Sequence, residues 1–425
     1  MRTRGCSAVT SLRLDPLRRL ALALLLAVAP LASVLAAERP VVILLSWDGV
    51  RHDYPERAQT RALARMQREG ARAERLIPVF PSSTFPNHVS LATGTYVDRH
   101  GIIGNRFTDR AGRRFDYSND ASWIEAEPLW VAAERQGVRA ATFFWVGSET
   151  DWRGRGASYR ITPFDESIGE AAKVDQILAW LDLPPEERPG LIMAWWHGCD
   201  HLGHEEGPDS PGIAAQLLAQ DAELLRLLAG LDSRKAWDHT TVMVASDHGM
   251  TALEALADAD APLAASGIPA RVASGGGDAQ VYLGDASQSD AALAALARVE
   301  GIRAYRAETL PLSYRSHFPG RSGDLTLVAE PPRVFARPTF GQKALAALRR
   351  LRGGSRGAHG YDPEHPDMGA IFFALGRGVP AGAKLGAIRV IDVAPTAAAL
   401  LGIGPPEQSE GRALFQTDSN SDAKP

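Results

Sequence analysis

Residues 40–49 read PVVILLSWDG. An unbroken apolar run of strand length that closes on Asp48-Gly49 is the pattern of a strand buried on both faces, with a tight turn at its carboxyl end. The same pattern recurs on either side. TRALARMQREG (60–70) has helical spacing and a terminal Gly. RAATFFWVG (139–147), LIMAWW (191–196), TTVMVAS (240–246) and AIFFALG (370–376) read as further buried strands. IAAQLLAQDAELLRLLAGL (213–231) and VIDVAPTAAALLG (390–402) carry helical periodicity. This alternation predicts an α/β fold with a mostly parallel sheet between helices. The chain has no internal repeat.

Residues 251–356 break the alternation. SGGGD (274–278) is a flexible breaker, followed by a strand at AQVYLGD, a helix at DAALAALARVEG, and strands at IRAYRAE and GDLTLVAE. This predicts a small α+β insert, leaving a discontinuous core at 38–250 and 357–405 and a polar tail at 406–425.

The 425 residues are 45% hydrophobic and 23% charged with a formal net charge of −4, which suits a globular chain with a large core. Weak acidity, without a basic stripe interleaved by aromatics, argues against a nucleic-acid polymer as partner. At the N-terminus, Arg2, Arg4, Arg13, Arg18 and Arg19 precede LALALLLAVAPLASVLAA, which ends in small residues near Ala36 and Ala37. The run is shorter than the ~20 apolar residues of a membrane span and is interrupted by Pro30. A signal peptide over 1–37 is expected, with export to the periplasm or medium and no stable membrane anchor after cleavage. Arg18-Arg19 is compatible with twin-arginine export. Loss of Cys6 would leave Cys199 alone, so no intramolecular disulfide is expected.

Ligands of parallel α/β sheets bind beyond the carboxyl ends of the strands. Asp48-Gly49 follows the first strand, HGCDHLGHEEGPDS (197–210) follows 191–196, and Asp247-His248-Gly249 follows 240–246. AHGYDPEHPD (358–367) sits just before 370–376. Carboxylate oxygen and imidazole nitrogen with almost no thiolate suit zinc or a similar divalent ion. Asp200 and His204 are i and i+4, on one face of a helical turn. Within 197–204, spacing does not choose among His197, His201 and His204. His52, His88, His100, His239 and His317 read as ordinary surface or core residues. The candidate ligands are too many for one tetrahedral ion and match two ions about 4 Å apart.

FPSSTFPNHVS (80–90) opens a helix, with Pro86 in its first turn and Gly94 as its end. The free N–H groups of a helix start favour an anion there. The alternative is that the Ser-Ser-Thr hydroxyls only cap the helix.

The ordered set SWDG (46–49), STFPNHVSLATG (83–94), HGIIGN (100–105), DHLGHEEGP (200–208), SDHGM (246–250) and HGYD (359–362) resembles the nucleotide pyrophosphatase/phosphodiesterase family of the alkaline phosphatase superfamily. The resemblance spans about residues 40–405 and implies an alkaline-phosphatase-like core with two zinc ions. Asp200, His204 and His359 would hold one, and Asp48, Asp247 and His248 the other. Thr84 would be the nucleophile, also on the second ion. Asn105 and the Phe85 amide would bind a non-bridging phosphate oxygen, and the Phe85 ring and Tyr159 would sandwich a nucleobase. The implied activity is hydrolysis of nucleotide-type phosphodiester or pyrophosphate bonds, with a small-molecule substrate. Two alternatives stand beside it. One is a phosphomonoesterase or lysophospholipid/choline phosphodiesterase on the same fold, for which Arg106 beside Asn105 is a possible anion ligand. The other is a catalytically silent metal- or partner-binding protein. The HGYDP sequence departs from the HGYDN common in the family, and Trp196-His197-Gly198 replaces a more acidic stretch.

Overall fold

The computed structural model describes residues 38–336 and 356–415. The expected signal segment 1–37, residues 337–355 of the expected insert and 416–425 of the expected tail lie outside the described residues.

The opening apolar run forms β1 (Val41–Trp47), buried along its whole length. In chain order the main sheet adds β2 (Ala71–Ile77), β3 (Ala140–Phe143), β4 (Tyr159–Ile161) and β5 (Leu191–Trp196). It is completed by β6 (Thr240–Ala245), β7 (Phe372–Gly376) and β8 (Ala383–Arg389). The eight strands lie in the order β8-β2-β7-β6-β1-β5-β3-β4. All neighbours are parallel except β7, which runs against both β6 and β2.

Register sets the position of the site. Ser46 of β1 lies opposite Trp195 of β5 on one side and Ala245 of β6 on the other. These three strands therefore end level, and the residues after them emerge side by side. Because β7 is antiparallel, it starts where its neighbours stop, with Phe372 opposite Ala245. The segment that leads into β7 is thus delivered to the same edge.

Three strands of the main sheet were not expected from sequence, and β4 is one of them, with only three residues. β2 (ARAERLI) and β8 (AKLGAIR) carry charged residues between their apolar positions, which breaks the apolar run by which the others were recognised. β3 is shorter than the 139–147 run because Phe144 adopts φ 60 and turns the chain out of the sheet.

Helices α1 (Ala62–Glu69), α2 (Thr84–Thr93), α3 (Gly198–Glu206) and α4 (Pro211–Arg234) belong to the surrounding layers. α4 begins with Ser210 as a side-chain cap, bonding the Ile213 amide, and Pro211 in its first turn. It buries Leu217, Leu224, Leu228 and Leu231. The buried Asp221 carboxylate on α4 accepts from the amides of Arg61, Ala62 and Leu63, satisfying the free donors at the start of α1.

A second, antiparallel sheet is built in the order Ala270–Ser274, Asp278–Leu283, Leu325–Ala329, Ile302–Arg306. Its apolar cluster includes Val281, Leu296 and Leu327, and also takes in Tyr361 and Met368 from the stretch that enters β7. Thr251–Leu253 and Arg356–Ala358 pair antiparallel, so the chain departs from the site edge and returns to it side by side. No helix of the described residues is long and apolar enough to cross a membrane.

Candidate active site

α2 starts without a side-chain cap. Ser83 occupies the capping position in extended conformation, but its hydroxyl is buried without a partner. Ser82 donates instead to the Tyr361 carbonyl at 2.8 Å. The alternative that these hydroxyls only cap the helix does not hold at Ser83, and the Asn87 side chain ties the turn instead. Its amide donates to Ser83 O (2.9 Å) and Pro81 O (3.0 Å), and its oxygen accepts from Val79 N (2.7 Å). No side-chain cap therefore covers the Thr84 amide, and the positive end of the α2 dipole lies beside the Thr84 hydroxyl.

Thr84 Oγ1 lies 3.4 Å from His248 Nε2. Around that nitrogen stand Asp48 Oδ1 at 3.5 Å and Asp247 Oδ2 at 3.2 Å. Next to it, Asp200 Oδ1 is 3.4 Å from His204 Nε2 and 3.7 Å from His359 Nε2. His248 and His359 stack at 3.8 Å between ring centres. The ligand atoms of Asp48, Asp247 and His248 all lie within 4.8 Å of one another, as do those of Asp200, His248 and His359. Of the three imidazoles in 197–204, His204 is the one that reaches this cluster. His201 faces Glu205 at 3.6 Å, and His197 packs edge-on to Phe164.

The cluster fits cations on its own chemistry. Each imidazole has its Nδ1 against a backbone carbonyl: His204 on Gly357 (3.0 Å), His248 on Gly249 (2.8 Å) and His359 on Ser82 (3.1 Å). A carbonyl only accepts, so Nδ1 carries the proton and the Nε2 lone pair faces inward. The Nε2 atoms of His204 and His359 then meet at 3.1 Å, lone pair to lone pair. Asp48 Oδ1, Asp200 Oδ1 and Asp247 Oδ2 are buried without a hydrogen-bond partner. Only positive charge resolves such a set.

Ionisation reflects the same deficit. Burial, then Asp247 and Asp200, pushes the Asp48 carboxyl well above the usual carboxylate range. Burial acts the same way on Asp247, but His248 and His88 overcome it and hold this carboxyl low. Burial, then His248 and His204, depresses His359 well below an ordinary imidazole.

Asn105 is buried beside the helix start, its Oδ1 accepting from Phe85 N at 2.9 Å. The Phe85 amide is therefore engaged in orienting Asn105, which leaves the Asn105 Nδ2 donors for a ligand. Arg106 is engaged elsewhere. It pairs with Asp116 at 2.8 Å and lies 4.6 Å over the Tyr117 ring.

Residues 42–362 match the family model for type I phosphodiesterase / nucleotide pyrophosphatase. The chain belongs to this family. Among curated relatives, a bis(5'-adenosyl)-triphosphatase of Xenopus laevis is 34% identical over 220 residues, 50% of this chain and 47% of the relative. A venom phosphodiesterase of Naja atra is 31% identical over 356 residues, 79% of this chain and 41% of the relative. The chain spans about half the length of the curated relatives it matches, or less. Murine ectonucleotide pyrophosphatase/phosphodiesterase 5 superposes with a TM-score of 0.77 at 24% identity, covering 86% of this chain and 96% of the other. The fold is thus the alkaline-phosphatase-like α/β architecture of this family's structures. An inactive variant of the same murine protein was solved in complex with AMP, again with a TM-score of 0.77 at 24% identity and 87% of this chain covered.

Of the residues that the family resemblance suggested, Tyr159 is not brought to the cluster. It lies opposite Ala141, which lies opposite Ile192, which lies opposite Ile43. That places it level with Ile43, roughly 16 Å below Asp48 along the strands and roughly 14 Å across the sheet. Its hydroxyl donates to the Glu187 carbonyl at 2.9 Å. Tyr159 therefore does not face Phe85, a correction that only strand register reveals. The buried Phe85 ring packs edge-on against Phe115 (5.7 Å) and Tyr117 (5.3 Å), and Tyr117 is exposed.

Two residues without an assigned role from sequence touch the cluster. His88, grouped with ordinary histidines, is wholly buried with Nδ1 2.9 Å from Thr84 O and 3.3 Å from Asp247 Oδ2. Its Nε2 meets Ser46 Oγ at 2.8 Å. Its i+4 spacing from Thr84 was the available signal, since that places both on one helix face. Trp195 donates from Nε1 to Asp48 Oδ2 at 2.9 Å. Its only signal was that a buried indole N–H needs an acceptor.

Proposed function

We propose that the chain is an exported two-zinc phosphodiesterase/pyrophosphatase that cleaves nucleotide-type phosphodiester or pyrophosphate bonds through a covalent Thr84 intermediate. The observation that carries this reading is the convergence of three orphaned carboxylate oxygens and three inward imidazole lone pairs beside the Thr84 hydroxyl at an uncapped helix start. Asp48, Asp247 and His248 would hold one ion, and Asp200, His204 and His359 the other. When bound, zinc supplies Lewis acidity that makes a threonine hydroxyl a nucleophile near neutral pH and offsets charge on the phosphoryl oxygens.

The remaining chemistry belongs to the chain's own residues. The start of α2 directs the Thr84 amide and its positive dipole end toward the substrate phosphate. Asn105 Nδ2 donates to a non-bridging oxygen whose charge grows as Thr84 Oγ1 attacks phosphorus in line. Thr84 gives up its proton as the Oγ1–P bond forms, the P–O bond opposite it breaks, and the departing alcohol or phosphate oxygen takes up a proton, while the other substituent stays on phosphorus as a phosphodiester of Thr84. Water then attacks from the vacated side and releases Thr84. The more exposed flank, at His204 and Asp200, is where leaving group and water exchange. Arg106 is held by Asp116 and Tyr117, which speaks against a dedicated dianion clamp and hence against a monoesterase.

We further infer that 1–37 directs export and that 251–356 is an insert between core segments 38–250 and 357–405. Composition supports the first, and the paired strands Thr251–Leu253 and Arg356–Ala358 support the second. A small nucleotide is the expected substrate class, in keeping with the AMP complex of the murine relative. Bis(p-nitrophenyl) phosphate and p-nitrophenyl phosphate, each with and without chelator, test the activity. Faster diester cleavage, abolished by chelator and restored by Zn²⁺, is expected. A monoester preference would overturn the diesterase assignment, and no turnover of either would overturn the enzyme.

A further inference from the structure

The two carboxylates at the ends of β1 and β6 are each held at one oxygen. Asp247 Oδ1 accepts from Gly49 N at 3.2 Å and lies 3.4 Å from Ser246 Oγ, while its Oδ2 faces the cluster. Asp48 Oδ2 accepts from Trp195 Nε1 at 2.9 Å, while its Oδ1 faces the cluster without a donor. In each case one oxygen is pinned by a neutral N–H and the other is left for a cation.

We propose that Trp195 is a positioning residue whose indole N–H fixes Asp48 as a one-oxygen metal ligand. The inference rests on the two-metal reading above and adds a residue to it. A carboxylate with both oxygens free rotates and binds in either a one-oxygen or a two-oxygen mode. Pinning Oδ2 leaves one ligand atom in one place, which lowers the ordering cost of binding an ion.

Three features make the indole suited to this. It only donates, so it tolerates an acceptor and nothing else at Asp48 Oδ2. It is neutral, so it orients the carboxylate without competing with a cation for its charge, as a lysine or arginine would. It is also rigidly placed. Its ring stacks on Phe164 at 4.8 Å and meets the His88 ring edge-on at 5.4 Å. Residue 195 lies opposite Ser46, two residues before Asp48, so the side chain has only to reach past the end of β1.

The test reads metal affinity in the chelator-stripped full chain, with no turnover involved. Zn²⁺ is titrated by calorimetry into wild type, Trp195→Phe, and a chain carrying benzothienylalanine at 195, which keeps the two-ring shape and lacks the N–H. The expected result is one equivalent bound roughly 10–100-fold more weakly in both altered chains, with the other equivalent unchanged. Wild-type affinity for both equivalents in the benzothienyl chain would overturn the proposal, whatever the phenylalanine variant does, since packing alone would then account for Trp195. Equal weakening of both equivalents would overturn it as well. A wild-type chain that takes up no Zn²⁺ would overturn the two-metal reading itself and this inference with it.

Discussion

The two halves of the cluster are built from similar ligands in contrasting surroundings. Asp48, Asp247 and His248 come from strand ends, and their side chains are 2%, 0% and 0% accessible. Their outer atoms are held by Trp195, Gly49 and the Gly249 carbonyl. Asp200 and His204 come from α3, with side chains 19% and 44% accessible. Similar donor chemistry therefore does not mean identical affinity. The half framed by the sheet is preorganised before an ion arrives, whereas part of the other half must be ordered by it.

The sharpest break is at the hydroxyl between the halves. Thr84→Ala is expected to lower diesterase kcat by at least about 10³-fold while both Zn²⁺ equivalents remain bound, read by steady-state kinetics beside metal analysis. Loss of metal in this variant would make Thr84 chiefly a ligand. Next come the halves themselves. His248→Ala and His204→Ala should each cost about 10²-fold or more in kcat/KM, but only the His204 variant should regain activity with added imidazole, because its position is open to solvent. Rescue of His248→Ala would remove the contrast. His88→Gln is expected to cost roughly 10–100-fold in metal affinity at the sheet-framed half alone, measured by chelator competition. The smallest effect lies beneath the open half. Asp278 is buried near Gly360, and burial raises its carboxyl to about 7 from an ordinary value of 3.8. Between those values the folded chain binds more protons than the unfolded one, so stability falls as pH rises through that window. Asp278→Asn should thus raise Tm by about 2 °C at pH 8 and leave it unchanged at pH 4, read by calorimetry.

Legibility from sequence follows the range of the interactions involved. β1 and its closing Asp48-Gly49 were readable because burial on both faces imposes an unbroken apolar run. β2 and β8 were not, since their interspersed charges hide the period. Asp48, Asp247 and His359 were readable as strand-edge residues, because chain order and antiparallel β7 deliver them to one place. The choice of His204 over His197 and His201 was left open by spacing and rests on which face of α3 turns inward. Tyr159 was misplaced for the opposite reason: local likeness suggested a role that register across four strands removes. Trp195 and His88 were overlooked because their partners lie 147 and 42 residues away along the chain.

The pairing of Thr251–Leu253 with Arg356–Ala358 has an evolutionary consequence. A two-strand clasp brings the ends of the intervening chain together next to His248 and His359, and the chain that it closes also touches the site, since Gly277 N donates to the His359 carbonyl at 2.9 Å. Substitution or trimming beyond the clasp can then reshape the rim of the site where it spares Gly277 and the apolar packing on Tyr361 and Met368. A lineage can therefore vary the outer face of this insert while the face that meets His359 and Tyr361 holds still.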